Sequence, residues 1–291
     1  MREIFPDAAA PQIGHVARGK AWPEAEAAVT ALARLYAYPA AGTGAAPWIR
    51  ANMIASADGA ASRGGRSGGL SGEADRLVFS VLRSLADVIL VGAGTARAER
   101  YQPVREREVW AALRAGQAPL PPIAVITGSL ALDPDSPLLA GTAGPRTIVL
   151  TTEAAPAARR AAAARHAEVI VTGPDVVSPA AAVGSLAALG YRRVLVEGGP
   201  SLLSQIVAAD LLDDLCLTFS PTLEGGSAGR ILAPPHEGEP ARGADPDARA
   251  WHGAAARLSL AHVIEDAGSL LCRYLRRPIL SQAPTSHPAK A

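Results

Sequence analysis

The residues able to do chemistry gather where short apolar runs end. Val194-Leu195-Val196 leads into Glu197-Gly198-Gly199-Pro200-Ser201: a carboxylate, two residues without side chains, and the start of a helix. Adjacent glycines let the backbone approach a ligand where a Cβ would collide. Pro200 suits a first helical position, and the N–H groups behind it, with the Ser201 hydroxyl, are free to bind an anion. A ligand-free strand-to-helix turn would use the same residues, so the reading rests on the company the motif keeps. Three other runs end comparably, in Asn52-Met53-Ile54-Ala55-Ser56-Ala57-Asp58-Gly59, in Gly92-Ala93-Gly94-Thr95 and in Thr127-Gly128-Ser129. The Gly92 turn begins like a dinucleotide fingerprint but has Arg97 at the third glycine, which argues against a standard Rossmann domain. Glycine turns on two separate strands suit instead a pyrophosphate lying across two helix N-termini, and hence an elongated dinucleotide. Glu197 follows three apolar residues directly, so its carboxylate must find partners or a ligand.

Ligands of α/β sheets bind beyond the carboxyl ends of the strands, so a mainly parallel sheet must bring these four ends together. The apolar pattern predicts one. Continuous apolar runs over 48–55, 88–91, 123–126, 148–150, 169–171 and 194–196 read as buried strands, with helices over 154–165, 179–189 and 200–209. Ala74, Leu77, Val78, Val81, Leu82 and Leu85 follow helical spacing, with Ser71 as the expected N-cap. Runs over 214–219, 257–264 and 269–275 have no helix between them, and Glu265-Asp266-Ala267-Gly268 reads as a hairpin turn, which predicts an antiparallel edge. Residues 1–46 read as an N-terminal extension with one helix over 23–36, ahead of a main domain over 47–278. Residues 233–250, rich in Pro, Gly and charge, read as a mobile loop, and 279–291 as a disordered tail.

With 291 residues, 49% of them apolar, the chain can bury a sizeable core. A net charge of +1 gives no electrostatic case for nucleic acid or an anionic membrane surface, and 4% aromatic residues argue against base-stacking platforms. Cys216 and Cys272 fall in predicted strands and read as small core residues. The six histidines show no ligand spacing, so no metal site is expected, and the H-x-E with P-C-x-x-C pattern of nucleobase deaminases is missing. The N-terminus lacks the apolar run of a signal peptide, and arginines interrupt the Ala-rich segments too often for a membrane span, so a cytoplasmic protein is expected.

Four motifs then carry a family resemblance. Asn52-x-x-x-Ser56-x-Asp58-Gly59 is followed by Leu82-Arg83-x-x-Ala86-Asp87-Val88-Ile89-Leu90-Val91-Gly92-x-Gly94-Thr95. Glu197-Gly198-Gly199-Pro200-x-Leu202 comes next, then Leu212-x-Asp214-x-x-Leu217 with Pro221. In this order, across residues 48–276, they resemble the reductase domain of bacterial riboflavin-biosynthesis proteins, the pyrimidine reductases. The resemblance implies a dihydrofolate-reductase-like α/β fold and NADPH as cofactor. It places Gly92, Gly94, Thr95, Gly198, Gly199, Pro200, Ser201 and Leu202 at the cofactor's phosphates and nicotinamide end, with Ala55 flanking the nicotinamide. Thr127, Gly128 and Ser129 would approach the adenosine ribose and 2′-phosphate. Asn52, Ser56, Arg83, Arg105 and Glu197 fall on the substrate side, where a phosphoribosyl group needs cations, and Asp58 and Glu197 are the acids near the reacting end. The chain departs from the family in carrying Glu99-Arg100-Tyr101-Gln102-Pro103 where paired acids and a proline are common. It also lacks a tryptophan in residues 62–70. Both departures lie on the substrate side.

The implied reaction is reduction of 5-amino-6-(5-phosphoribosylamino)uracil to its ribitylamino product. C1′ of the opened sugar imine would accept the hydride, and Asp58, Glu197 or water would give the proton. Two other readings stay open at this point: a dihydrofolate-type pterin reductase, and a regulator that holds NADPH without turnover. The expected partner is a small molecule, and the antiparallel ending offers an edge on which a symmetric homodimer could form.

Overall fold

Alternate residues of each central strand go to opposite faces of one sheet, as the pleat requires. Ile89, Val91, Ile123, Val125 and Leu195 enter one apolar cluster, whereas Val88, Leu90, Ala124, Val194 and Val196 enter another. Strands buried on both faces need helices on both faces. The computed structural model describes residues 1–5, 22–40, 46–141, 144–233 and 256–276. In chain order the elements are β1 (Arg2–Phe5), α1 (Trp22–Leu35), β2 (Trp48–Ser56), α2 (Glu73–Leu85), β3 (Val88–Gly92), α3 (Ala93–Ala98), β4 (Ile123–Ile126) and α4 (Pro137–Ala140). They continue with β5 (Ile148–Thr151), α5 (Ala157–Ala164), β6 (Glu168–Val171), α6 (Pro179–Ala188), β7 (Arg193–Val196), α7 (Pro200–Ala208), β8 (Asp214–Ser220), β9 (Leu258–Asp266) and β10 (Ser269–Arg276).

All the strands form one mixed sheet in the order β1-β9-β10-β8-β2-β7-β3-β4-β5-β6. From β8 to β6 every neighbouring pair is parallel, while β8–β10, β10–β9 and β9–β1 are antiparallel. β7 enters between β2 and β3, so the chain reaches β3 through α2 on one face and leaves β7 through α7 on the other. Such a switch point opens a crevice at the carboxyl ends of the strands. Buried Val78, Val81 and Leu82 seat α2 in the first cluster; buried Leu202, Leu203 and Ile206 seat α7 in the second. Cys216 and Cys272 are free and buried, as core residues.

Buried arginines hold helix ends. Arg50 and Arg273 both donate to the Asp214 carboxylate, while Arg50 also reaches the Tyr36 carbonyl and Arg273 the Leu35 carbonyl, clamping the C-terminus of α1 to β8. Arg114 does the same for α2, donating to the carbonyls of Ser84 and Ala86. A cation at these carbonyls complements the negative end of the helix.

Two sequence expectations change. Gly72, not Ser71, is the N-cap of α2, because the Ser71 hydroxyl donates instead to the Asp75 carboxylate at 2.5 Å. β1 had no apolar run to announce it, and it pairs with β9 from Arg2↔Glu265 to Phe5↔Val263. It therefore covers part of the edge on which a second copy was expected to add. The loop expected over 233–250 falls, beyond residue 233, outside the described residues, as does the tail expected over 279–291. Among the described residues no helix is long and apolar enough to cross a membrane.

Candidate active site

A cavity of about 590 Å³ opens at the carboxyl ends of β2 and β7. Its walls include Asn52, Met53 and Ile54 of β2; residues of the 61–71 segment; Asp75, Arg76, Phe79 and Arg83 of α2; Thr95 and Ala98 of α3 with Glu99, Arg100, Tyr101, Gln102, Arg105 and Glu108 after it; Glu197-Gly198-Gly199-Pro200 after β7; and Gly229-Arg230. The α2 residues share a face because 75, 79 and 83 are four apart, just over one helical turn each.

Glu197 stands at the centre. Its side chain is 1% exposed, Arg83 Nε donates to Oε1 and Arg83 Nη2 to Oε2, both at 2.7 Å, and the Tyr101 hydroxyl donates to Oε2 at 2.7 Å. Burial works against the charge of Arg83, but the adjoining Glu197 carboxylate outweighs it and holds the guanidinium charged. Phe79 lies beneath this guanidinium at 4.3 Å, so an aromatic face supports the cation from behind. Burial, reinforced by the Glu197 charge, pushes the Tyr101 phenol well above its ordinary range, so it stays a hydrogen-bond donor. The fork-on-carboxylate geometry fixes Glu197 as an acceptor facing the cavity. Asp75 is a second carboxyl in the wall: burial raises its pKa, opposed by hydrogen bonds with Ser71 and Thr218.

The two glycine turns meet. The Gly92 N–H donates to the Gly198 carbonyl at 2.9 Å, and both α3 and α7 begin on a glycine N-cap, Gly92 and Gly199, without a side-chain cap. Their first-turn N–H groups thus remain available to an anion. A Cβ on Gly94 would meet nothing within 4 Å, leaving backbone open to a ligand. Gly198 has φ +100, a conformation for which glycine is required. Gly199 needs its missing side chain for an internal reason, since a Cβ there would run into the Thr95 hydroxyl.

Asn52, Arg83, Thr95, Arg105, Glu197, Gly198, Gly199 and Pro200 are brought together at this cavity. Gly92 and Gly94 lie beside it, and Ser201 is exposed in the first turn of α7. Other expected site residues are placed differently. Ala55 and Leu202 are packed in the second core cluster, Ala55 on the sheet face opposite to Asn52 and Leu202 from α7 against that face. Ser56 and Asp58 serve their own turn: the Ser56 hydroxyl donates to Asp58, and Asp58 also accepts from the Glu224 and Gly225 N–H groups at 3.2 and 2.7 Å. These bonds, led by that from Ser56, pull the Asp58 carboxyl down to about 2, which does not suit a proton donor. Arg83, expected to meet a phosphate, spends two of its three nitrogens on Glu197. Thr127, Gly128 and Ser129 end β4, beyond β3 and away from the cavity wall, where Arg159 Nη1 donates to the Ser129 carbonyl at 3.1 Å.

Tyr101, Asp75 and Glu108 were missed. Tyr101 falls in the 99–103 segment where the chain departs from the resembled pattern, and Asp75 and Arg83 lie at i and i+8 on α2, a polar stripe beside the apolar one. Those were the available signals.

The chain is similar to known proteins. The RibD C-terminal domain matches residues 47–247. The 2,5-diamino-6-ribosylamino-4(3H)-pyrimidinone 5′-phosphate reductase of Archaeoglobus fulgidus is 29% identical over 187 residues, covering 62% of this chain and 83% of that protein. Its namesake from Methanothermobacter thermautotrophicus is 28% identical, covering 64% and 83%. Among solved structures, a pyrimidine reductase-like protein of Corynebacterium diphtheriae superposes with a TM-score of 0.66 at 25% identity, covering 80% of this chain and 92% of that one. The family match spans more than half of the chain, and the chain belongs to the RibD C-terminal domain family.

Proposed function

We propose that the chain is an NADPH-dependent reductase that converts a ribosylamino-pyrimidine 5′-phosphate of riboflavin biosynthesis into the ribitylamino product. One observation carries the reading: a single cavity is lined both by the Gly198-Gly199-Pro200 turn with Thr95 and by Arg83, Arg105 and Glu197. A dinucleotide and a phosphorylated sugar can therefore share one space.

The residues present fit the cofactor. Two uncapped helix starts side by side suit a pyrophosphate, and the open backbone at Gly94 admits it. When bound, NADPH supplies the hydride that reduces C1′ of the opened sugar imine, and a proton goes to the imine nitrogen. Glu197, held by Arg83 and Tyr101, orients substrate N–H or hydroxyl groups as an acceptor. Asp75, whose carboxyl burial makes a weaker acid, is the cavity group suited to deliver the proton. Arg105, on the exposed rim, is available to the 5′-phosphate.

The test is to follow NADPH consumption with the aminouracil and the diaminopyrimidinone phosphoribosyl compounds and, in parallel, with dihydrofolate. Turnover of a phosphoribosyl compound supports the reading. Turnover of dihydrofolate alone replaces it.

A further inference from the structure

We propose that Glu108 is a built-in stand-in for the phosphate of the substrate, holding two arginines until that phosphate displaces it. The inference rests on the reading that the Arg83 and Arg105 side of the cavity receives a phosphorylated sugar. Arg83 Nη1 is the one nitrogen of its guanidinium not committed to Glu197, and its partner is Glu108 Oε1 at 3.5 Å. Arg105 Nε reaches Glu108 Oε2 at 3.4 Å. Both separations exceed the 2.7–2.9 Å usual for charge-assisted hydrogen bonds, so each arginine keeps donor capacity toward the cavity that all three residues line.

Glu108 is not placed there by these weak pairs. The Arg105 backbone N–H donates to its Oε2 at 2.8 Å, which closes the short turn over 105–108 and sets the carboxylate between the two cations. Its side chain is 31% exposed, so Oε1 can turn toward water when a better anion arrives. A phosphate dianion brings more charge and more acceptor oxygens than a carboxylate and can engage Arg83 Nη1 and Arg105 together. A sugar without phosphate has nothing with which to displace Glu108. Every phosphorylated substrate then bears the cost of displacing the residue, which also keeps two like charges from facing each other while the cavity is empty.

Calorimetric titration of inorganic phosphate and of ribose 5-phosphate into the full chain tests this, with unphosphorylated ribose as the control. Glu108→Gln keeps an oxygen for the Arg105 N–H and removes the charge. It is expected to bind both phosphates roughly three- to fivefold more tightly than wild type at low salt, with ribose unchanged and the gap closing as salt rises. Glu108→Ala, which also removes the backbone contact, is expected to shift in the same direction. Equal or weaker phosphate binding in both variants, or an equal gain for ribose, overturns the proposal. Failure of the pyrimidine reading is separate: it shows as absence of wild-type turnover while phosphate affinity still responds to Glu108.

Discussion

Arg83 and Glu197 act as one unit. A buried carboxylate left without its guanidinium costs about 3–5 kcal/mol, so Arg83→Ala is expected to lower thermal stability and to impair both phosphorylated and dephosphorylated substrates, the phosphorylated one more. Arg105 is exposed and its pairing with Glu108 is long. Arg105→Ala should leave stability unchanged and cost about 1.5–3 kcal/mol, or roughly ten- to a hundredfold in kcat/KM, on the phosphorylated substrate alone. Melting curves and kinetics on both substrate forms check this; an Arg83→Ala protein that melts like wild type and loses only the phosphorylated substrate would reverse the assignment. At this scale the sequence was informative where a residue type is forced. Glu197 behind three apolar residues had to be paired. Asp58 read as the other acid near the reacting end, and only the fold brings the 222–225 segment over it to take up its oxygens. Tyr101 was legible only as a departure, since no local pattern tells which carboxylate a phenol will meet.

The elements that position the site were written in apolar spacing. Continuous buried runs became β3, β4 and β7 within a residue of expectation, because a strand covered on both faces tolerates no polar interruption. β1 escaped, because a four-residue edge strand takes its hydrogen bonds from a partner over 250 residues away and shows no periodicity of its own. The paired glycines were legible as a close approach, but the partner was not. Gly199 makes room for the Thr95 hydroxyl of the neighbouring turn, so Gly199→Ala is expected to destabilise the protein by about 1–3 kcal/mol through overpacking. Thr95→Ala, by removing that hydroxyl, should recover most of the loss in the double variant. Thermal unfolding of the two single variants and the double measures it; a Gly199→Ala protein as stable as wild type would show that the two turns are not packed on each other.

The molecule as a whole keeps polar groups inside its first core, and this makes its stability depend on pH. His262 is buried edge-on to the Tyr36 ring at 4.7 Å, and burial, with the nearby Arg273 charge, lowers its pKa from 6.5 to about 4. A histidine kept neutral in the fold contributes stability that is fully present above its unfolded value and is lost as pH falls through 6.5 toward 4. The loss should reach about 2 kcal/mol by pH 5. Urea unfolding at pH 7 and pH 5 should show it in wild type and not in His262→Gln; an equal drop in both would place the acid sensitivity elsewhere.

The central claim is that one cavity joins a reduced dinucleotide to a phosphorylated sugar, and isotope transfer tests it most directly. NADPH carrying deuterium at C4 of the nicotinamide is incubated with the enzyme and the ribosylamino-pyrimidine 5′-phosphate, and the product is analysed by mass and by NMR. The account predicts one deuterium at C1′ of the ribityl chain from one of the two C4 epimers and none from the other. Unlabelled product, or label delivered only to a pterin ring, would contradict it.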